Sequence, residues 1–312
     1  MSSGPTTVQK SRPDMSDTVV TPAPGVSVTT SQGRGELPRL MVVTPAAVAE
    51  IYLSGAHVTS WAPEGHHPVL WMSKKSIFSL GVPLRGGIPV CFPWFGPHPS
   101  GTAPLHGFAR ISEWTLLDVV DHGTSAEMVF GLEDSEETRR SVWPHQFRAR
   151  YSVTVGAELT VSLEVTNTGQ APMTYSESFH TYLAVSDIRV ARLHGLETSS
   201  FVDRLAGTDR VAATGEALRL DAETERLYAE PGTITVHDPV AERRIHVSSQ
   251  GSAQTLVWNP WVNKAAAMGD FGDDEWVGMV CVETANVLDA AVHLDPGQSH
   301  TMAVTITVDA TS

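Results

Sequence analysis

The stretch "FRARYSVTVGAELTVSLEV", residues 147–165, has the clearest periodicity in the chain. Apolar side chains occupy every second position from Phe147 to Val155, and again from Leu159 to Val165 after the turn-like "GAE". Such alternation is typical of strands that bury one face and expose the other. The stretch therefore predicts an antiparallel hairpin.

The same alternation recurs elsewhere, in "TMAVTITV" (301–308) and in "GTITVHDPVAERRIHVSS" (232–249). The second of these predicts another hairpin, with its turn near Asp238 and Pro239. Helical periodicity is scarce: the best candidate is a short helix in "EDSEETRRSVWP", ended by Pro144. Strands do not alternate with long helices, which disfavours a parallel sheet. We predict an all-β fold, a large antiparallel β-sandwich with few short helices.

The length of 312 residues allows one large domain or two ordinary ones. Residues 1–35 are dominated by Ser, Thr, Pro and Gly, which predicts a disordered N-terminal tail. No shift in composition divides residues 36–312, so we predict a single sandwich domain there.

The net charge of −14 disfavours nucleic acid as a partner, because phosphate backbones need a basic face. It leaves room for a small anionic ligand in a pocket made by a few arginines. Cys91 and Cys281 lie in apolar runs, which predicts buried free thiols and a reducing compartment. The sequence shows neither a membrane-length apolar stretch nor a secretory signal. We expect a cytoplasmic monomer without a membrane partner.

Ionisable residues interrupt apolar runs at a few places: Arg85 in "RGGIPVCFPWFG", His106 and Arg110 in "LHGFAR", His180 in "SESFHTYLAV" and Glu283 in "GMVCVET". A lone histidine or arginine in such a setting most often has a structural role. Glu283 is harder to explain in that way, because a carboxylate inside a strand-like apolar run must be paired or functional.

Several familiar motifs are absent from the sequence. It has no HExxH, no GxGxxG, no phosphate-binding GxxxxGK[ST] and no GxSxG. His66 and His67 lie in a polar loop without further candidate ligands nearby. We therefore predict neither a metal site nor a cofactor.

A histidine and a glutamate on neighbouring strands suit acid–base chemistry that needs no cofactor. Histidine titrates near neutrality and serves as an acid, while a glutamate with its pKa raised by burial serves as a base. Arginines bind an anionic part of a substrate through forked hydrogen bonds. Phe92, Trp94 and Phe95 would then form an apolar wall of the pocket.

Several stretches taken together, "RGGIPVCFPWFG", "LHGFAR", "SESFHTYLAVSDI", "LVWNPW", "EWVGMVCVET" and "LDPGQSH", resemble the glucose-6-phosphate 1-epimerase family. These enzymes, also called hexose-6-phosphate mutarotases, belong to the aldose 1-epimerase superfamily. The resemblance runs from about residue 36 to the C-terminus. It implies a galactose mutarotase-like sandwich and interconversion of the α and β anomers of a hexose 6-phosphate.

The resemblance also implies roles for single residues. His180 matches the general acid that protonates the ring oxygen, and Glu283 matches the base that takes the proton from the C1 hydroxyl. Arg85 and Arg110 match substrate-binding arginines, and His106 matches a histidine of the pocket.

Two positions depart from the family pattern. Glu225 in "TERLY" stands where the family has a substrate-binding aspartate, and Leu105 stands where a glutamine is common. Three alternatives stay open: an epimerase of unphosphorylated aldoses, a non-catalytic sugar-phosphate-binding protein, and a glycosidase. The glycosidase would need a second carboxylate near Glu283, for which Glu177 and Asp270 are candidates.

Overall fold

Antiparallel strands dominate the computed structural model, which describes residues 19–20, 25–207, 210–229 and 232–311. The strands are β1 (Val19–Val20), β2 (Ser27–Gln32), β3 (Pro38–Val43), β4 (Ala47–Tyr52), β5 (His57–Pro63), β6 (Val90–Cys91), β7 (Thr115–Asp121), β8 (Ala126–Glu133), β9 (Phe147–Val155), β10 (Leu159–Asn167), β11 (Met173–Tyr175), β12 (Glu177–Phe179), β13 (Tyr182–Ala184), β14 (Arg192–His194), β15 (Phe201–Asp203), β16 (Thr224–Ala229), β17 (Ile234–Asp238), β18 (Arg243–Gln250), β19 (Gln254–Asn259), β20 (Met279–Asn286), β21 (Val292–Leu294) and β22 (Ser299–Ala310). The helices within these ranges are α1 (Glu136–Arg139) and α2 (Trp261–Ala267).

The largest sheet has eight strands in the order β14-β17-β18-β22-β10-β9-β8-β7. Its centre contains the hairpin of β9 and β10, in which Val155 lies opposite Leu159. Strands β17 and β18 form the second hairpin, with Asp238 opposite Arg243. Both predicted hairpins are therefore confirmed, because period-two alternation is a direct consequence of burying one face of a strand.

A second sheet of seven strands has the order β15-β16-β19-β20-β12-β6, and β13 also pairs with β20. Strands β1 to β5 form a five-stranded sheet, and β11 pairs with β21. The predicted all-β sandwich is confirmed.

Side chains of β12 join the seven-stranded sheet to the eight-stranded one. The Phe179 ring lies 5.9 Å from the Tyr151 ring of β9, and Glu177 Oε1 lies 3.1 Å from His300 Nε2 of β22. The main apolar core is a cluster of buried residues that runs from Val26 to Ile306, and Leu37, Tyr52 and Leu84 form a second, smaller cluster. Each fully buried Val, Leu or Phe of the main cluster contributes about 1.5–3 kcal/mol relative to an exposed one.

Part of the predicted tail is wrong. Strand β2 (Ser27–Gln32) pairs with β3, and Val26 and Val28 are buried in the core. Two apolar residues in a Ser/Thr-rich segment are too weak a pattern to separate an edge strand from a tail. Residues 1–18 and 21–24 of that tail lie outside the described residues, and the single domain over 36–312 stays a prediction.

The short helix predicted within 133–144 is confirmed as α1, which Ser135 caps by accepting the N–H of Thr138. It ends at Arg139, well before Pro144. Sequence periodicity did not predict α2. At the start of this helix, Asn259 Oδ1 accepts the N–H of Trp261 over 2.8 Å. Neither helix in the described part of the chain has the length and apolar character needed to cross a bilayer.

Candidate active site

The segment from β12 to β13 places alternate side chains on one face of the seven-stranded sheet. Ser178 and His180 both approach Glu283, and the Tyr182 ring stacks on the His180 ring at 4.7 Å and 9°. The His180 backbone N–H donates to the carbonyl of Pro89 over 3.0 Å. The turn-rich run that begins at Arg85 thus fixes the backbone that carries the histidine.

Strand register brings the remaining side chains to the same face. Tyr182 lies opposite Cys281, Cys281 opposite Trp258, and Trp258 opposite Glu225. Directly opposite residues of paired strands share a face. These residues therefore form one row across four neighbouring strands, and Glu283 lies on that face two positions after Cys281.

His180 and Glu283 are in direct contact. His180 Nε2 lies 3.3 Å from Glu283 Oε1, and the two side chains are 9% and 1% exposed. Glu283 Oε2 accepts a hydrogen bond from Ser178 Oγ over 3.1 Å, which fixes the carboxyl plane. An imidazole and a carboxyl group at this distance can exchange a proton or act on neighbouring atoms of one ligand.

Burial sets the protonation of this pair. Removal from water raises the pKa of Glu283 well above its usual value, and it lowers the pKa of His180 well below its usual value. The charges of Arg85 and Arg110 lower the pKa of His180 further. Burial therefore favours the protonated carboxyl group and the neutral imidazole in this pair.

His106 lies beside His180, with 5.8 Å between the ring centroids. Its backbone has a left-handed conformation with φ of 61°, and its Nδ1 accepts the N–H of Gly96 over 3.1 Å. Burial, with the nearby arginines, lowers the pKa of His106 to about 3. The ring is therefore neutral with its proton on Nε2, which makes His106 a hydrogen-bond donor.

Arg85 is held by two partners. Its Nε and Nη2 contact Asp270 Oδ2 at 3.2 and 3.1 Å, and its Nη1 donates to the Tyr182 hydroxyl over 3.0 Å. Because the Tyr182 ring also stacks on His180, the arginine is joined to the candidate acid through one aromatic ring.

Arg110 is a buried cation, 8% exposed, whose Nη2 donates to the carbonyl of Leu105. Within the described ranges it forms no ion pair, and its Nε lacks a hydrogen-bond partner. Burial accordingly lowers the pKa of Arg110. Leu105 itself is half exposed and contributes only its backbone to this contact.

Glu225 is connected to the other site residues by Arg204, which the sequence did not indicate. Arg204 Nε contacts Glu225 Oε1 at 3.0 Å, and the guanidinium carbon lies 5.6 Å from the centre of the Phe95 ring. The Phe95 ring in turn lies 4.6 Å from the His106 ring. Arg204 follows the strand that pairs with β16, but its surrounding "VDRLAG" carries no signal of its own.

All six predicted site residues lie in one cluster of neighbouring side chains: Arg85, His106, Arg110, His180, Glu225 and Glu283. The structure adds Ser178, Tyr182, Trp258 and Arg204. The sequence analysis missed all four, although Ser178 and Tyr182 are two positions from His180 and strand alternation could have indicated them.

The sequence and the arrangement of strands are similar to those of known proteins. A family model described as aldose 1-epimerase matches residues 40–307. A protein of Cenchrus ciliaris, provisionally named glucose-6-phosphate 1-epimerase, is 38% identical over 260 residues, which cover 80% of this chain and 78% of that protein. A protein of Escherichia coli K12 with the same provisional name is 36% identical over 251 residues, or 80% and 83% of the two chains.

The crystal structure of a protein from Salmonella typhimurium, provisionally described as a mutarotase, superposes with a TM-score of 0.85 at 31% identity. The superposition covers 94% of this chain and 97% of that one. The family match spans both His180 and Glu283. The chain therefore belongs to the aldose 1-epimerase family.

Proposed function

We propose that this protein interconverts the α and β anomers of a hexose 6-phosphate, the reaction of a glucose-6-phosphate 1-epimerase. The observation that carries the proposal is the 3.3 Å contact between His180 Nε2 and Glu283 Oε1 beside arginine side chains. Anomer exchange acts on two oxygens bonded to the same carbon, the ring oxygen and the C1 hydroxyl. An acid and a base in contact suit such closely spaced targets, with the sugar ring lying over the pair.

His180 and Glu283 together account for every proton transferred in the reaction. Glu283 takes the proton of the C1 hydroxyl as the C1 carbonyl forms, while His180 gives a proton to the ring oxygen as its bond to C1 breaks. Rotation about C1–C2 presents the other carbonyl face. The hydroxyl that was the ring oxygen then returns its proton to His180 as it attacks C1, and Glu283 reprotonates the carbonyl oxygen.

The phosphate of the substrate is expected to change the electrostatics around His180 and Glu283. The first step needs a charged imidazole and a carboxylate, whereas burial favours the neutral form of both groups, and the arginine charges also favour the neutral imidazole. A phosphate dianion bound by those arginines offsets their charge and so raises the pKa of His180 towards a useful range. By this reasoning, the phosphate of the substrate contributes to kcat as well as to binding.

Charge pairing supports an anionic ligand. Arg85 is paired with Asp270 and Arg204 with Glu225, which leaves Arg110 as the uncompensated cation among the described pocket residues. Arg110 Nε and Arg204 Nη1 are buried donors without a partner there. Forked guanidinium groups with free donors are well suited to phosphate oxygens.

The glycosidase alternative loses its support. Glu177 lies on the opposite face of β12, where it contacts Asn286 Nδ2 at 2.9 Å and His300 of the other sheet. Asp270 is engaged by Arg85. Neither therefore serves as the second carboxylate beside Glu283 that glycoside hydrolysis needs.

Anomer exchange at C1, followed by NMR on glucose 6-phosphate and on glucose, tests the proposal. We expect exchange of the phosphorylated sugar, with a loss of roughly 100-fold or more in Glu283→Gln and His180→Ala. The control is Glu164→Gln, whose side chain is half-buried on β10 of the other sheet and which leaves the rate unchanged. Exchange of glucose alone would indicate an aldose 1-epimerase. Binding of the phosphorylated sugar without exchange would indicate a sugar-phosphate-binding protein.

A second measurement separates the phosphate from the sugar. Inorganic phosphite supplies the anion in trans, and we expect it to raise the exchange rate of free glucose by the wild type. Arg110→Met lacks the uncompensated cation and should respond less. A glucose rate that is indifferent to phosphite would contradict the electrostatic role given to the phosphate.

The cytoplasmic location and the monomeric state remain predictions. The two cysteines are free and buried, which supports a reducing compartment. Sedimentation velocity of the full chain tests the monomer.

A further inference from the structure

Cys281 is a buried group beside the acid and base that the reaction does not use. It lies on β20 two residues before Glu283, on the same face, opposite Tyr182 and Trp258. Burial raises the pKa of its thiol well above the usual value, so it is not a ready nucleophile. The side chain nevertheless occupies the centre of the pocket-facing row.

Three possible ligand atoms meet at this point. The Cys281 Sγ, a ring nitrogen of His180 and a carboxyl oxygen of Glu283 all lie within 4.8 Å of one another. The Glu283 side chain is only 1% exposed, yet its Oε1 has no hydrogen-bond partner among the described residues. Sulfur, imidazole nitrogen and carboxylate oxygen form a donor set that favours Zn²⁺ and similar soft or borderline cations.

We propose that Cys281, His180 and Glu283 bind a thiophilic divalent cation, with Zn²⁺ as the representative, and that the bound cation blocks the reaction. The metal would be an inhibitor that occupies the acid and the base, not a cofactor of the epimerase. Three protein ligands leave a fourth tetrahedral position of zinc for water or an anion.

Release of protons on metal binding makes a cation site compatible with the arginines that surround it. As the metal–sulfur and metal–oxygen bonds form, the thiol of Cys281 and the protonated carboxyl of Glu283 each release one proton, and His180 binds as the neutral ring. Two protons leave as one divalent cation enters. The total charge beside Arg110 therefore does not change, and the arginines oppose binding less than they would oppose a simple added cation.

Metal binding is measured without the sugar. Co²⁺ reports a thiolate ligand by its near-ultraviolet sulfur-to-metal charge-transfer absorption, and Zn²⁺ added afterwards displaces it. We expect one equivalent of Co²⁺ in the wild type, and affinity reduced by more than about 10-fold, without the charge-transfer band, in Cys281→Ser. The control is Cys91→Ser, a buried free thiol opposite Ser178 on β6, which keeps the band. A wild type without the band, or a Cys281→Ser variant that retains it, overturns the proposal.

Inhibition is measured by anomer exchange with free Zn²⁺ held constant by a metal buffer. This part rests on the proposed function. We expect Zn²⁺ to compete with the hexose 6-phosphate, and we expect the sensitivity of Cys281→Ser to Zn²⁺, measured relative to its own metal-free rate, to fall by more than about 10-fold. Inhibition that is equal in both proteins, or not competitive, overturns the assignment. If the wild type binds Co²⁺ through its thiolate but exchanges no anomers, the function fails and the metal site stands.

Discussion

Ser178 Oγ donates to Glu283 Oε2 over 3.1 Å, while the other carboxyl oxygen faces His180. The serine hydroxyl lowers the pKa of Glu283, against the larger effect of burial, which raises it. Ser178 is itself 1% exposed and forms this bond in place of water. The strand that leads to the candidate acid thus also controls the candidate base.

Ser178→Ala should therefore lower kcat for anomer exchange by roughly 10-fold, since a hydrogen bond to a charged group contributes about 1.5–3 kcal/mol. Loss of the hydroxyl raises the pKa of Glu283 further, so the acidic limb of the pH–rate profile should move to higher pH. Ser186→Ala is a matched control, because Ser186 Oγ donates over 3.1 Å to Asp238, a carboxylate of the eight-stranded sheet. An unchanged acidic limb in Ser178→Ala would show that the serine only fills space.

Arg110→Met should make the protein more stable and less able to bind its substrate. The buried guanidinium is uncompensated within the described ranges, and replacing such a charge by an apolar side chain of similar length stabilises a fold by about 1 kcal/mol or more. KM for glucose 6-phosphate should rise by roughly 10-fold or more, while KM for glucose changes little. Arg148→Met, on the exposed side of β9, should change neither quantity. Thermal unfolding and substrate titration check both parts, and a destabilised variant would contradict the charge argument.

His300 should make stability depend on pH. Its bond to the fully buried Glu177 raises the pKa of His300, and Asn286 Nδ2 and the Gly251 carbonyl complete its surroundings. A raised pKa in the folded state means that the stabilisation is complete below about pH 6.5 and disappears as the pH rises through the higher folded value. Urea unfolding of wild type and His300→Gln should show the larger difference in free energy at about pH 5.5 and little difference at about pH 9. A difference that grows with pH would contradict this coupling.

Gly107→Ala should be far more disruptive than Gly101→Ala, although both glycines have positive φ, 76° and 71°. A Cβ at Gly107 would lie 2.0 Å from the Phe92 carbonyl oxygen, whereas a Cβ at Gly101 meets nothing within 4 Å. The Phe92 carbonyl cannot easily retreat, because it accepts the N–H groups of Phe108 and Ala109. We expect Gly101→Ala to cost about 1–2 kcal/mol. Gly107→Ala should cost more and lower the exchange rate by displacing His106, and equal stabilities would contradict the close approach.

Much of the fold could be predicted from the sequence because alternation in long strands reports burial directly. The hairpin over 147–165 is the clearest case, and β22 followed the same rule. Where a strand carries few apolar residues, as in β2, the pattern failed. Helix α2 also escaped prediction, since it is short and depends on the side chain of Asn259.

The sequence indicated single candidate residues of the site, but it did not indicate the contacts between them. Glu225 contacts Arg204 in the turn after β15, and no local pattern connects residues on two separate segments of the chain. The Arg85–Asp270 pair likewise joins positions 185 residues apart in the chain. Such contacts depend on strand register and on where the connecting turns lie, and a single sequence reveals neither.

The two faces of strand β12 have different surroundings. Glu177 and Phe179 face the other sheet, whereas Ser178 faces Glu283. A register shift of this strand by one residue would place the His180 imidazole in the apolar core between the sheets. It would also place the Phe179 ring on the face that carries Glu283. Deleting or inserting one residue there is thus worse than any substitution, since it exchanges both sides at once. We therefore expect a homologue or a redesigned chain with a different length in this segment to lose anomer exchange even if it still folds.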